Sequence, residues 1–140
     1  MKSFLKFILN VAIYIGIVAG VLVGMPRFLA WKLDTPYPLA AITSGSMWPA
    51  LHEGDLIFIE GVGRNDLAVG DIVVWRNPNG FTIHRVTKLG ENSFTTKGDA
   101  NFTEDEPVRY EDVIGRTYSI FGKEARIPYL GMISVYANQK

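Results

Sequence analysis

From Phe7 to Pro26 the chain carries no charged residue. The apolar run from Phe7 to Met25 is about the ~20 residues that an α-helix needs to cross a bilayer core. That commits the N-terminus to a membrane before any other element is considered. Lys2 and Lys6 precede the run while Arg27 and Lys32 follow it, so positive charge orients it only weakly. A cleaved signal peptide would carry a shorter apolar region, and Val23-Gly24-Met25-Pro26-Arg27 is a poor small-residue cleavage site. The expectation is a retained transmembrane helix. Ala12, Gly16, Gly20 and Gly24 fall at intervals of four along it. Small residues at that spacing line one face and let another membrane helix approach closely; glycine is also common in membrane helices without such a partner.

In a chain of 140 residues this leaves room for one further domain with one core. The expected division is an anchor with its flanks at 1–32 and a globular part at 33–140. The formal net charge is zero and no basic run interleaves with aromatics, so nothing points to nucleic acid. With no cysteine, disulfides, thiolate chemistry and cysteine-based metal sites are excluded. His52 and His84 are the only histidines, which argues against a histidine cage around a metal.

After the span the pattern changes. Asp34-Thr35-Pro36-Tyr37-Pro38 reads as a stiff, extended connector, because each proline biases its predecessor away from helix. Beyond it the apolar runs are short and rich in β-branched residues: Leu56–Ile59, Asp71–Trp75, Phe81–Val86 and Ser93–Thr96. Gly, Asn, Asp and Pro punctuate them. The expectation is a mainly β protein, a compact antiparallel domain on one N-terminal membrane helix. Gly54-Asp55 and Gly70-Asp71 each launch such a run. An aspartate beside glycine usually bonds its own turn backbone, so Asp55 and Asp71 are assigned to structure.

The chemistry begins at Thr43-Ser44-Gly45-Ser46-Met47-Trp48-Pro49, a turn sequence that can hold one hydroxyl exposed beside free backbone N–H groups. A serine hydroxyl needs a neighbouring base to become a nucleophile, and an imidazole titrating near ~6.5 suits that work. In Phe81–Val86, strand alternation puts Thr82, His84 and Val86 on one face, so His84 can point into a cleft from a rigid element. Standing alone, a strand histidine reads as one satisfied by a local partner. His52 lies in a polar turn and reads as solvated surface. A triad also needs an acid to hold the imidazole in its working tautomer. Asp99, in Gly98-Asp99-Ala100-Asn101, and Asp105, in the acidic run Thr103–Pro107, both qualify. The residues by themselves leave that choice open.

Taken together and in order, Thr43-Ser44-Gly45-Ser46-Met47-Trp48-Pro49, Ile83-His84-Arg85-Val86 and Thr96-Lys97-Gly98-Asp99-Ala100-Asn101 with Asp105 resemble the type I signal peptidases. They are most similar to the histidine-bearing branch typical of archaea, the endoplasmic reticulum and some Gram-positive bacteria, where the other bacterial branch carries a lysine. The resemblance runs from the N-terminal span to about Ile120. It implies Ser46 as nucleophile, His84 as general base and Asp105 as triad acid. It also implies Asp99 as a second aspartate near the site, and Ser44 as the hydroxyl that assists the Ser46 N–H in holding the oxyanion. Asp99, in its Gly-flanked turn, is expected to hold the loop through backbone hydrogen bonds.

The implied protein is a membrane-bound serine endopeptidase that removes signal peptides from preproteins after small residues, with no metal or organic cofactor. Its catalytic domain would lie on the extracytoplasmic side, at the cell membrane rather than the endoplasmic reticulum. Its partners would be preproteins, the lipid bilayer and, through Gly16, Gly20 and Gly24, other membrane helices. Met47, counted with Ser44 and Ser46 among the substrate-binding residues, is expected with Trp48 and Leu51 near an apolar surface facing the bilayer. The stretch Ile127–Tyr136 is too short to span; it is expected as a final strand or an apolar edge resting on lipid. Two other classes compete. One is a different serine peptidase using Lys88 or Lys97 as base; the other is a non-catalytic anchored β module that binds peptides or scaffolds a translocation complex.

Overall fold

Lys2–Ala19 forms α1, the next five residues, Gly20–Gly24, wind as π-helix, and Met25–Lys32 forms α2. The computed structural model describes residues 2–137 of the chain. The π-turn has a local cause. Pro26 lacks an N–H and its ring crowds the carbonyl one turn back, and widening that turn relieves the crowding. The N–H of Met25 then donates to the Gly20 carbonyl, five residues back. The unbroken helical run Ser3–Lys32 is long and apolar enough to cross a bilayer. Gly16, Gly20 and Gly24 are exposed with no packed neighbour, and the π-turn shifts the angular phase between the last two.

The helix ends against the rest of the chain. Leu33 O accepts the Gly61 N–H at 2.7 Å, and Thr35 is buried with its hydroxyl toward Ile114 O. The remainder of the chain folds around an antiparallel sheet. Its strands are β1 (Leu39–Ala41), β2 (Leu56–Glu60), β3 (Ile72–Asn77), β4 (Gly80–Leu89), β5 (Ser93–Lys97), β6 (Val108–Arg109) and β7 (Val113–Thr117). They run in the spatial order β1-β2-β7-β3-β4-β5-β6. A small hairpin of β8 (Ser119–Ile120) and β9 (Lys123–Glu124) stands apart, and β10 (Arg126–Ile127) pairs with β2.

Alternation on β3 divides the core. Ile72 and Val74 pack with Ile42, Met47, Leu51, Ile57 and Ile59, while Val73 packs with Leu67, Val86, Phe94 and Val108. The two Gly-Asp turns are as expected. Gly54 and Gly70 take positive φ of 87° and 100°, which suits residues without a Cβ. Asp55 Oδ2 accepts the His52 N–H at 2.9 Å and Asp71 Oδ2 the Ala68 N–H at 3.0 Å. The C-terminal expectation is corrected in part. Only Arg126–Ile127 is strand; Met132–Ala137 forms a short helix, α3, docked by buried Val135 and by the Gly131 N–H on Gly54 O.

Candidate active site

The Ser46 turn is pinned from beneath. Trp48 N–H donates to Gly45 O at 3.1 Å and Leu51 N–H to Met47 O at 2.9 Å, closing two successive tight turns. The side chains of Met47 and Leu51 are 1% and 0% exposed in the core. Their expected place at a lipid-facing surface is therefore corrected: apolar side chains this small in number cannot both anchor a turn and face the bilayer, and only Trp48 stays outside. From its buried position Met47 still lines the cleft beside Ser46. Ser44 and Gly45 are exposed, Ser46 is half-buried, and the Ser46 N–H has no hydrogen-bond partner among the described residues.

His84 comes from the middle of β4, opposite Val73 of β3, and is buried. Its Nδ1 lies 2.6 Å from Asp105 Oδ2 and its Nε2 lies 3.2 Å from Ser46 Oγ. A carboxylate can only accept, so Nδ1 carries the proton and Nε2 is left to take the one on Ser46. Ser44 Oγ lies 3.2 Å from Ser46 Oγ. With the Ser46 proton directed at His84, the Ser44 hydroxyl donates to Ser46 Oγ. Neither Lys88 nor Lys97 bonds to Ser46; Lys88 Nζ holds Glu104 Oε2 at 2.8 Å. That hydrogen bond keeps the Glu104 carboxyl below its ordinary range and ties the exposed Asp105 loop to β4. His52 is apart from this group, exposed and accepting from Arg126 Nη1 at 3.0 Å.

Asp99 does something other than bond its own turn. Arg85 Nε and Nη2 donate to its two oxygens at 2.8 and 2.7 Å, a bidentate pair. The Asp99 hydrogen bond, with its charge, raises the Arg85 pKa further above its ordinary value. The pair clamps the Gly98–Asn101 turn to β4 beside His84. From that turn the Ala100 N–H donates to Ser46 O at 2.9 Å, and a Cβ on Gly98 would stand 2.8 Å from the same carbonyl oxygen. Asp99 thus reaches Ser46 through the backbone, and Asp105 reaches His84 through its side chain.

A cleft of about 690 Å³ opens at Ser46 and His84 between β1 and β4. Ala41, Ile42, Val74 and Ile83 line its apolar part, and exposed Ser134 of α3 contributes one wall. The β1–β2 register pairs Leu39 with Phe58 and Ala41 with Leu56, and the Ile42 N–H donates to Asp55 O. By alternation the main-chain groups of Leu39, Ala41 and Thr43 point away from β2, along an edge that has no strand partner among the described residues. Arg85 and Thr96 both stand within the quoted motifs, but the sequence assigns neither a role. Arg85 is visible as a charge next to His84 on a strand; Thr96, whose hydroxyl donates to Asp105 Oδ2 at 2.7 Å, reads locally as part of an ordinary Thr-Thr run. Among the described residues no group of three or more His, Asp or Glu side chains is arranged to hold a metal.

No family model matches the chain. Curated relatives do. It is 33% identical over 116 residues to the human signal peptidase complex catalytic subunit SEC11C, a match covering 72% of this chain and 57% of the relative. The chain thus spans little more than half the length of that relative. It is 35% identical over 128 residues to the signal peptidase complex catalytic subunit SEC11 of Colletotrichum graminicola, covering 80% of this chain and 73% of the relative. The corresponding subunit of Pyrenophora tritici-repentis is 35% identical over 134 residues with the same coverage.

Proposed function

The chain belongs to the family of SEC11-type signal peptidase catalytic subunits, and from that premise we propose that it is a membrane-anchored serine endopeptidase removing N-terminal signal peptides after small residues. The observation that carries this reading is the unbroken hydrogen-bonded chain from Ser46 Oγ through His84 to Asp105. In the proposed reaction Ser46 Oγ attacks the scissile carbonyl while His84 Nε2 takes its proton. Asp105 holds the ring and stabilises the imidazolium. The unpartnered Ser46 N–H and the Ser44 hydroxyl receive the oxyanion. His84 then gives its proton to the leaving amine, and a water deprotonated by the same imidazole hydrolyses the acyl-enzyme.

The free edge of β1 suits a peptide bound extended, as an added strand. The Ala41, Ile42, Val74 and Ile83 surface beside it suits small apolar side chains next to the cut. Residues 1–32 serve as anchor and 33–140 as catalytic domain, facing the side of the membrane to which preproteins are delivered. The human and fungal relatives named above give the expected cell membrane no support, and we propose the endoplasmic reticulum as the compartment instead. Those relatives are named as subunits of a complex, so partner subunits are proposed here as well, with Gly16, Gly20 and Gly24 as a contact face for their helices.

The test uses the full chain in detergent with a model preprotein, read by N-terminal sequencing of the product and by a serine-directed acylating probe. Cleavage after a small residue with the probe on Ser46 supports the reading. A folded protein that neither cleaves nor labels would make it an anchored peptide-binding module instead.

A further inference from the structure

Thr96 is wholly buried, at 0% exposure, on β5. It pairs across from Val86 of β4, and a shift of register follows immediately beyond that pair. Val86 shares a face with His84, so Thr96 points to the same side. Its hydroxyl donates to Asp105 Oδ2 at 2.7 Å, the same oxygen that takes His84 Nδ1–H at 2.6 Å. Its carbonyl accepts the Asp105 N–H at 2.8 Å. One residue therefore grips Asp105 twice, by main chain and by side chain, and a buried hydroxyl with a single carboxylate to donate to has nowhere better to turn.

We propose that Thr96 is a positioning residue of the reaction, fixing the rotamer of the Asp105 carboxylate and sharing its charge so that His84 is held with Nε2 toward Ser46. The inference rests on the catalytic reading of Ser46, His84 and Asp105. A donor on the oxygen that faces the imidazole stabilises the anion and weakens its pull on the Nδ1 proton. Without that donor the carboxylate holds the imidazolium more tightly and is free to rotate. The free base then appears at higher pH, and turnover falls. The charged groups nearby are Arg85 with Asp99, Lys88 with Glu104, and Lys97, which also bears on Glu104. Glu124 adds a further charge toward Arg85, and the Thr96 hydroxyl donates to Asp105 and to none of these groups.

The experiment compares wild type, Thr96→Val and Thr96→Ser as full chains in detergent, measuring kcat, KM, the pH–rate profile and Tm. Thr96→Val keeps the shape and loses the hydroxyl. It is expected to lower kcat about tenfold, the value of one hydrogen bond to a charged group, with KM little changed and the acid limb of the profile moved to higher pH. Thr96→Ser keeps the hydroxyl and is expected to retain kcat and the wild-type limb. A Thr96→Val enzyme that only melts earlier, with kcat and limb unchanged, overturns the proposal. So does a Thr96→Ser enzyme as impaired as Thr96→Val. Should Thr96→Val not fold, Thr96→Cys, a weak donor of similar size, carries the same reading: a raised limb supports it and a wild-type limb overturns it. A wild type that neither cleaves nor takes the acylating probe overturns the catalytic reading itself, a result separable from normal cleavage with an insensitive Thr96.

Discussion

The two serines of the turn differ in what they can reach. Ser46 Oγ is hydrogen-bonded to His84 Nε2, whereas among the described residues Ser44 Oγ is hydrogen-bonded only to Ser46 Oγ. Ser46→Ala is expected to abolish preprotein cleavage with Tm unchanged, since a half-buried hydroxyl is lost and no core contact with it. Ser44→Ala is expected to keep detectable cleavage reduced by about 100- to 1000-fold, the effect of losing one oxyanion donor. Equal loss in both variants would contradict the division of roles. The two aspartates separate in the same way. Asp105→Asn leaves an amide where Nδ1–H needs an acceptor, and turnover is expected to fall about 10⁴-fold with little change in Tm. Asp99→Asn instead breaks the bidentate hold of Arg85. Loss of hydrogen bonds to a charged, partly screened group is expected to cost roughly 1–2 kcal/mol of stability along with activity. Thermal melts and cleavage rates on the two variants decide it: a fully stable, inactive Asp99→Asn beside a working Asp105→Asn would exchange the roles.

At the scale of elements, the site depends on how closely three segments meet. The Gly98–Asn101 turn lies under the Ser46 turn with no space for a side chain between them. A Cβ at residue 98 would meet the Ser46 carbonyl oxygen at 2.8 Å and the Asn101 side chain at 2.7 Å. The backbone oxygen cannot yield without moving the nucleophile. Gly98→Ala is therefore expected to lower cleavage about 100-fold, as misplacement of a reacting group by a fraction of an ångström to an ångström does, while urea unfolding changes far less. A variant with wild-type rate would mean that the Ser46 turn tolerates displacement. The element that sequence reasoning handled least well is α3. Ile127–Tyr136 carries no charge, so its composition suits a strand, a lipid-facing edge or a short helix equally. The choice comes from Gly131, whose Cβ position is filled at 2.5 Å by Asp55 O, and from the burial of Val135.

For the molecule as a whole, activity and stability are expected to answer pH differently. An imidazole accepts the serine proton only when neutral, so cleavage should rise with pH on the acid side of neutrality. The Arg85 and Glu104 shifts act elsewhere. Arg85, raised by its hydrogen bonds to Asp99, contributes stability that is fully present below its ordinary value and is lost only at still higher pH. Glu104, lowered by Lys88, contributes stability present above its ordinary 4.5 and lost as pH falls through its depressed value; being exposed, it contributes little. Tm is thus expected to stay nearly level across the range in which the rate climbs. A rate and a Tm that rise together would point to a folding transition in place of a catalytic base.

Sequence alone determined what is written within a short window. The charge-free run from Phe7 to Pro26 specifies a helix long enough to span, and the β-branched runs separated by Gly-Asp and Asn-Pro turns specify an antiparallel sheet. The order of the serine, histidine and aspartate motifs points to a family. Only the tertiary structure decided what depends on distant pairing. Ser46 and His84 are separated by 38 positions, and His84 and Asp105 by 21. Which acid faces the imidazole depends on the β4–β5 register and its shift between Val86 and Lys88, which no local pattern encodes. The same holds for Met47 and Leu51. Their apolar character says that they must leave water, but burial under the Ser46 turn and contact with lipid satisfy that demand equally. The fit of the turn against Ile42, Ile57 and Val74 selected the first.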